Sequence, residues 1–225
     1  LALTDGKSIV TLETVQDYKR VYDGDRGANT GGMGAYSPAA VVPDREYDRV
    51  IREILVPIVH AMNNERRRFR GLLHAGIMFT KSGPKVLEFN ARFGDPETQP
   101  LLMRLKSDII PLFQATIDER LADVEMEWDP RPAVCVVMTS GGYPGSYEVG
   151  YEIEGLNEVT DATVFHAGTH LKEGKVVTSG GRVLSVTAMG DNFAQARERA
   201  YAAVQKISFH ASHVRTDIAA RAVGP

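Results

Sequence analysis

Apolar residues recur at spacings of three and one between Tyr47 and Met62, which is the pattern of one face of an amphipathic helix. The stripe consists of Tyr47, Val50, Ile51, Ile54, Leu55, Ile58, Val59 and Met62. Asp44 precedes the stripe at the position expected for a helix cap. Pro57 lies within it and is expected to kink the helix, because proline cannot donate the backbone hydrogen bond needed there.

Strands are predicted on either side of this helix. Apolar residues flank the turn signal Thr4–Lys7, which predicts a hairpin over residues 1–18. Residues 72–80 and 84–90 predict a second hairpin, with Lys81–Gly83 as its turn.

Three further segments show other patterns. Residues 19–40 are rich in Gly and Asp, show no periodicity and are predicted to form a loop. Two helical segments are expected at about residues 97–106 and 108–122, with Asp108 as the cap of the second.

The pattern changes at Trp128–Pro132, a proline-containing linker that we interpret as a domain boundary. Beyond it, strands are expected at about residues 133–139, 162–167, 175–178 and 181–188. A final helix at about 191–207 would bury Phe193, Ala196, Ala200, Ala203, Val204 and Ile207. We predict an α+β fold, with helices on a mostly antiparallel sheet, and two domains at 1–127 and 128–225.

Composition narrows the class of protein. The 225 residues are 43% hydrophobic and 24% charged, as in soluble globular proteins, and a net charge of −3 does not suggest a nucleic-acid partner. No apolar run approaches the ~18 residues that span a bilayer, so no membrane partner is expected. The basic run Arg66–Arg70 is interpreted as a solvated loop, with a polyanion site as the less favoured alternative.

The single cysteine, Cys135, lies in an apolar run and is interpreted as a small buried hydrophobe. A lone cysteine excludes an internal disulfide and fits a reducing compartment, which we take to be the cytoplasm. The sequence shows neither an initiator Met nor a signal peptide, and we expect it to begin inside a longer protein.

The first candidate for chemistry is a group of polar residues at the end of the second hairpin. Glu88 and Asn90 are two apart on a predicted strand and therefore share a face, which Arg92 would join if the strand continued. Leu87 and Phe89 would turn to the other face and pack. A carboxylate and an amide oxygen suit a hard cation such as Mg²⁺ that completes its shell with substrate phosphates, and an arginine nearby suits phosphate oxygens. Solvated charges on an edge strand remain the structural alternative.

The second candidate is the glycine-rich run Asn29–Gly34. Three glycines in four residues let the backbone turn its N–H groups towards an anion, but they are equally a common way to turn a chain. Lys19 and Arg20 supply two cations just upstream, and these could also form an ordinary surface pair.

Together these runs resemble the glycinamide ribonucleotide synthetases, also called phosphoribosylamine–glycine ligases, a family of the ATP-grasp superfamily. The matching segments occur in the family's order across nearly the whole chain: Gln16–Arg20, Asn29–Pro38, Glu88–Pro100, Gly141–Gly145 and Phe165–Thr169. The resemblance implies the carboxy-terminal part of an ATP-grasp domain followed by a small α+β domain. It further implies ligation of glycine to 5-phosphoribosylamine with ATP through a glycyl phosphate, a step of purine synthesis.

The resemblance also implies roles for individual residues. Glu88 and Asn90 would hold Mg²⁺ or Mn²⁺, and Arg92 would act on the transferring phosphoryl group. Lys19 would act on the acceptor side, near glycine and 5-phosphoribosylamine. The substrates would also be bound by Asp17, Asn29, Thr30, Gly31, Gly32, Met33, Gly34, Asp95 and Glu97, the last two by positioning the amine or ordering the loop.

Two departures from the family pattern limit these expectations. The strand Leu72–Phe79 contains no acid, whereas many ATP-grasp enzymes place a further metal ligand there. The resemblance also covers only about the carboxy-terminal half of the enzyme, so the missing amino-terminal half is an expected partner. A non-catalytic fragment or remnant domain, and a sister ATP-grasp carboxylate–amine ligase, stay open as alternatives.

The remaining motifs predict structure rather than chemistry. Gly141–Gly145 and Ser179–Gly181 are interpreted as turns, with ligand contact as the less favoured alternative. His166 and His170 would share a face if residues 164–171 formed one strand, but no further metal ligands lie nearby in sequence, and no zinc site is predicted.

Overall fold

The computed structural model describes residues 1–40 and 42–224. Its strands are β1 (Ala2–Thr4), β2 (Ile9–Thr11), β3 (Gln16–Asp17), β4 (Arg20–Tyr22), β5 (Arg26–Asn29), β6 (Gly34–Ser37), β7 (Gly71–Thr80), β8 (Gly83–Asn90), β9 (Ala133–Thr139), β10 (Thr163–His166), β11 (Thr169–Lys172), β12 (Lys175–Thr178) and β13 (Arg182–Met189). Its α-helices are α1 (Asp44–Val50), α2 (Val56–Asn64), α3 (Thr98–Arg104), α4 (Ile109–Ile117), α5 (Phe193–Val204) and α6 (Ala220–Val223). Every strand pair is antiparallel, and the α+β prediction is confirmed.

These elements form two compact units. The first consists of Leu1–Thr14, the described part of Ala40–Gly94 and Leu105–Trp128, and the second of Val15–Ala39, Asp95–Arg104 and the described part of Asp129–Pro225. The division after Trp128 lies at the predicted linker. Two earlier segments nevertheless belong to the second unit: β3 and β6 of the first segment pair within its sheet, and α3 of the second segment packs on β9 and β13. The contiguous domains 1–127 and 128–225 therefore stay a prediction from sequence order.

The first unit is built on a four-stranded sheet in the order β2-β1-β7-β8. The predicted amino-terminal hairpin is present as β1 and β2, but it ends at Thr11 rather than at residue 18. One apolar cluster consists of Leu3, Leu12, Leu72, Leu112 and Leu121, which are all buried. α4 begins as predicted, because Asp108 Oδ1 accepts a hydrogen bond from the Ile110 N–H at 2.9 Å.

The predicted amphipathic helix is present with an interruption. A π-helical turn over Ile51–Leu55 separates α1 from α2, and Val56 N–H donates to the Ile51 carbonyl. Pro57 lies in the first turn of α2, so the missing N–H is accommodated at a change of helix type. The prediction for Asp44 was wrong: Pro43 takes the cap position without a side-chain bond, and Asp44 is already helical.

The β7–β8 hairpin contains a bulge. Glu88 pairs with Gly76, but the next residue of β7, Ile77, pairs with Val86, so Leu87 is an extra residue in β8. The expected packing of Leu87 and Phe89 was wrong, since their exposed fractions are 66% and 37%. The bulge explains the exposure of Leu87, because Leu87 has no opposing residue in β7.

The second unit is built on a five-stranded sheet in the order β10-β13-β9-β6-β3. The loop predicted over residues 19–40 was wrong, because it contains β4, β5 and β6. The last of these is fully buried. Its sequence Gly-Ala-Tyr-Ser has no apolar alternation, so only the tertiary pairing with β9 identifies it. Cys135 in β9 is buried as predicted, and burial raises the pKa of its thiol to about 12.

α5 packs its predicted apolar face onto this sheet. Ala196, Ala200, Ala203 and Val204 are buried in the main apolar cluster of the unit. Asn192 Oδ1 caps the helix by accepting from the Gln195 N–H at 2.9 Å. Within residues 1–40 and 42–224, no helix is both long enough and apolar enough to cross a membrane.

The basic run of the first unit surrounds a carboxylate. Glu119 lies 2.9 Å from Arg68 Nη2 and 2.5 Å from Lys7 Nζ, and it also pairs with Arg70. Hydrogen bonds from Lys7 and Arg68 lower the pKa of Glu119 to about 2. Two arginines of the run thus have an internal acidic partner, which favours the structural interpretation over a polyanion site.

Candidate functional site

The first unit carries Glu88 and Asn90 at the end of β8. Glu88 lies opposite Gly76 and Asn90 opposite His74, so the two side chains share one face of the hairpin, as predicted. A Cβ on Gly76 would lie 3.3 Å from Glu88 Cγ, so glycine at this position leaves room for the carboxylate side chain. The carboxylate is exposed, whereas Asn90 is half-buried.

Arg92 lies beyond the strand. β8 ends at Asn90, so the condition for Arg92 to share the face of Glu88 is not met. Its guanidinium is exposed, and Nη1 donates to the Phe93 carbonyl at 2.9 Å. The Phe93 ring packs edge-on against Phe113 at 6.1 Å, which anchors the segment that follows the strand.

The donor set of this strand end fits a cation shared with a substrate. Glu88 supplies a carboxylate and Asn90 an amide, whose Nδ2 is buried without a hydrogen-bond partner in the described part of the chain. Within the described part of the chain, no group of three or more His, Cys, Asp or Glu side chains is arranged so that it could hold a metal ion by itself. Two oxygen ligands suit a hard divalent cation that takes its other ligands from water and phosphates.

The second unit carries the other predicted residues. Lys19 Nζ lies 2.6 Å from Asp17 Oδ2, and the Asp17 side chain is only 11% exposed. Burial, together with the negative charge of Glu97, raises the pKa of Asp17 to about 6, although Lys19 opposes the shift. Glu97 is itself buried. The structure therefore brings Glu97 close to Asp17 and Lys19, which lie about 80 residues earlier in the sequence.

The raised pKa of Asp17 predicts a pH dependence of stability. The folded protein binds a proton between pH 3.8 and about 6 that the unfolded chain has released, so the free energy of unfolding falls as pH rises through this window. We expect Asp17→Asn to stabilise the second unit by about 1–2 kcal/mol at pH 7, since it removes this cost.

Thermal unfolding of this chain at pH 4 and pH 7 measures the effect, with exposed Asp161→Asn as the control. The stabilisation should be present at pH 7 and nearly absent at pH 4. Equal effects of Asp17→Asn at the two pH values would contradict the assigned shift.

The backbone of the glycine-rich run is bonded within the protein. The N–H groups of Thr30 and Met33 donate to the carbonyls of Lys19 and Tyr18, both at 2.8 Å. Gly32 N–H donates to Thr30 Oγ1 at 2.9 Å. These three N–H groups therefore have acceptors within the protein and are not available to an anion in this conformation. The predicted binding role of the run therefore rests on its side chains, its carbonyls and its shape.

The three glycines of the run are needed because atoms of neighbouring residues lie where a Cβ would be. Gly32 has φ +123°, and a Cβ there would lie 2.3 Å from Pro96 Cδ. At Gly31 a Cβ would lie 2.9 Å from Arg182 Cζ, and at Gly34 it would lie 2.7 Å from the Cys135 carbonyl oxygen. Larger residues would push the loop away from all three neighbours.

Sequence reasoning missed Arg182 and treated Tyr143 only as part of a turn. Arg182 Nη2 lies 3.0 Å from Asp95 Oδ2, which gives the predicted residue Asp95 an ionic partner. Tyr143 OH accepts a hydrogen bond from Gly31 N–H at 3.0 Å. No local signal marks Arg182, because the strand pairing of β13 brings it to the loop.

The two histidines do not share a strand. His166 ends β10 and His170 lies in β11, and these strands belong to different sheets. His166 Nδ1 lies 3.0 Å from Thr169 Oγ1, so the His166 side chain has a hydrogen-bond partner within the protein.

Comparison with known proteins identifies the chain's relatives. The family models for the ATP-grasp (A) domain and the C domain of phosphoribosylglycinamide synthetase match residues 1–98 and 133–221. Phosphoribosylamine–glycine ligases of Rhodopirellula baltica and Pseudomonas aeruginosa are 53% and 51% identical, each over 99% of this chain. The crystal structure of the Thermotoga maritima ligase has a TM-score of 0.82 at 36% identity, covering 96% of this chain and 54% of that one.

An antiparallel sheet whose last hairpin carries a Glu–Asn pair, together with these matches, places the chain among the ATP-grasp ligases. Within that class, the chain belongs to the phosphoribosylglycinamide synthetase family. It spans about half the length of the curated relatives it matches, 52% of the R. baltica and 53% of the P. aeruginosa ligase. Urea carboxylase of Kluyveromyces lactis, with a TM-score of 0.65 at 11% identity, shares the fold alone.

Proposed function

We propose that the protein to which this chain belongs ligates glycine to 5-phosphoribosylamine with ATP, giving glycinamide ribonucleotide, ADP and phosphate. The observation that carries the proposal is the 53% identity to a phosphoribosylamine–glycine ligase across 99% of the chain. The sister-ligase alternative has no comparable support, since the solved N5-carboxyaminoimidazole ribonucleotide synthetase of T. maritima is 17% identical.

The reaction needs two displacements. A glycine carboxylate oxygen attacks the γ-phosphorus of ATP and ADP leaves, giving glycyl phosphate. The amine of 5-phosphoribosylamine then attacks the carbonyl carbon, phosphate leaves and the nitrogen loses a proton. Phosphoryl transfer depends on positioning and charge neutralisation more than on a protein nucleophile, which agrees with a site built from carboxylates, amides and cations.

Glu88 and Asn90 are the proposed metal ligands. A divalent cation bound there would neutralise phosphate charge and favour departure of ADP. The oxygen donors suit Mg²⁺ and also accept Mn²⁺, and we propose Mg²⁺ as the working ion. Arg92, exposed and fixed to the Phe93 carbonyl, is the proposed group that binds the transferring phosphoryl oxygens.

The acidic residues of the second unit are the proposed recognition site for an amine. Glu97 is buried and the Asp17 side chain is only 11% exposed, and burial together with the negative charge of Glu97 raises the free-energy cost of ionising Asp17. An ammonium group or an amine losing its proton would relieve this cost. Lys19, 2.6 Å from Asp17, and the loop Asn29–Gly34 complete the proposed acceptor side.

The proposed partner of this chain is the remaining part of the ligase. Several large apolar side chains of the β7–β8 hairpin are exposed: Met78, Phe79, Val86, Leu87 and Phe89. An exposed apolar edge hairpin promotes aggregation unless other chain covers it. We propose that the rest of the relatives' length covers this hairpin. A cytoplasmic location stays a prediction.

The function is tested by complementation between two pieces of one enzyme. We expect this chain alone to release ADP at background rate, and the chain co-expressed with the remaining part of the ligase to release ADP only when glycine and 5-phosphoribosylamine are both present. A complex that forms but turns over another amine acceptor would contradict the assigned substrate. An active chain on its own would contradict the assigned partner.

A further inference from the structure

Arg182 joins two segments of the second unit. Its side chain is 21% exposed and stands at the start of β13. Nη1 donates to the Gly31 carbonyl at 2.9 Å and to the Asp95 carbonyl at 2.6 Å. Nη2 donates to Asp95 Oδ2 at 3.0 Å. One planar guanidinium thus fixes the loop Asn29–Gly34 to the segment that carries Asp95 and Glu97.

Tyr143 holds the same loop through a second bond. Its hydroxyl accepts from Gly31 N–H, while Arg182 donates to the carbonyl of the same residue, so both polar groups of Gly31 have side-chain partners. The tyrosine approaches across Gly181, where a Cβ would lie 2.3 Å from Tyr143 Cδ2. Gly181, which is adjacent to Arg182, therefore leaves room for the Tyr143 ring.

We propose that Arg182 and Tyr143 are positioning residues that set the shape of the loop Asn29–Gly34 for the two acceptor-side substrates, glycine and 5-phosphoribosylamine, and not for ATP. The proposal rests on the proposed function, in which this loop and Glu97 line the acceptor side. Arg182 donates to Gly31 and Asp95, and Tyr143 accepts from Gly31, so each side chain acts through the loop.

The kinetic test uses full-length ligase carrying Arg182→Gln, Arg182→Lys or Tyr143→Phe. A hydrogen bond to a charged group corresponds to about a 10- to 100-fold change, so Arg182→Gln should raise the KM for glycine or 5-phosphoribosylamine by that factor. Lysine keeps the charge beside Asp95 but cannot serve two carbonyls with a fork, and should recover part of the loss. The KM for ATP and kcat should change by less than about threefold. The reason is that the loop would bind the acceptor-side substrates equally in the ground state and the transition state, so its distortion raises their KM only.

A second readout does not depend on activity. Amide hydrogen exchange of the peptide covering residues 29–34, measured on this chain, should accelerate about tenfold in Tyr143→Phe and in Arg182→Gln. Arg199→Lys is the control, since Arg199 is an exposed residue of α5 bonded to the Met189 carbonyl. Unchanged exchange in the loop would overturn the positioning role.

The two readouts separate the possible failures. Faster exchange with equal KM increases for ATP and for glycine would overturn the link to the acceptor side. If the wild-type ligase shows no glycine-dependent ADP release, the proposed function fails, whereas the exchange experiment still decides whether Arg182 and Tyr143 fix the loop.

Discussion

Glu88→Gln in the full-length ligase is expected to lower kcat for glycine-dependent ADP release by at least about 10³-fold, since it removes a proposed ligand of the metal ion that would offset several kcal/mol of phosphate charge. Glutamine has nearly the same shape as glutamate but carries no charge. Glu88 is exposed and faces Gly76 across the hairpin, so the substitution removes no buried contact. The fold of the variant should therefore match that of the wild type.

The control for this substitution is Glu125→Gln, another exposed glutamate of the same unit. It should leave kcat unchanged and thereby exclude a general effect of net charge. Titration with Mg²⁺ gives an independent measure, because the loss of one ligand should raise the Mg²⁺ concentration needed for half-maximal rate. Wild-type turnover and an unchanged Mg²⁺ requirement in Glu88→Gln would contradict the assignment of Glu88 as a metal ligand.

The parts of the fold that follow from periodicity were predictable. The β7–β8 hairpin, β9, β13 and α5 each show an apolar pattern that matches one structural period, and each lies close to its predicted bounds. β6 shows the limit of this approach. Its buried tyrosine and small residues have no period, and its place in the middle of a sheet depends on β9, about a hundred residues later in the chain.

The candidate site likewise has features that the sequence predicts and features that only the tertiary structure reveals. The shared face of Glu88 and Asn90 follows from strand alternation alone. The bulge at Leu87 does not, because a bulge leaves no signal in the order of polar and apolar residues. The environment of Asp17 and the clamp formed by Arg182 depend on contacts between segments distant in sequence, so they require the tertiary structure.

Arg215→Met is expected to destabilise the second unit by about 2–3 kcal/mol, less than the ~3–5 kcal/mol of a fully buried ion pair, because Asp25 and Asp217 are 37% and 27% exposed. The Arg215 side chain is fully buried. It lies 2.7 Å from Asp217 Oδ2 and 3.0 Å from Asp25 Oδ1, and its Cζ lies 4.9 Å from the Tyr18 ring centroid. Methionine fills similar volume but leaves two carboxylates without this partner.

The pH dependence distinguishes loss of charge from loss of packing. Burial raises the pKa of Asp217, but hydrogen bonds from Arg215 and the Gly24 N–H outweigh it and lower the pKa to about 2. In the wild type this contribution is present above pH 3.8 and is lost as pH falls towards 2. The difference in unfolding free energy between wild type and Arg215→Met should therefore be largest near pH 7 and shrink below pH 4.

Calorimetric unfolding of this chain across that pH range measures the difference, with exposed Arg199→Met as a control expected within about 0.5 kcal/mol of wild type. A loss that stays constant from pH 7 to pH 3 would show that Arg215 acts through packing against Tyr18 rather than through its two carboxylates. A loss below about 1 kcal/mol at pH 7 would contradict the buried ion pair altogether. The expected result identifies Arg215 as one of the residues that fix the carboxy-terminal segment to the β4–β5 hairpin, since Arg215 belongs to that segment and its partner Asp25 lies in the turn of the hairpin.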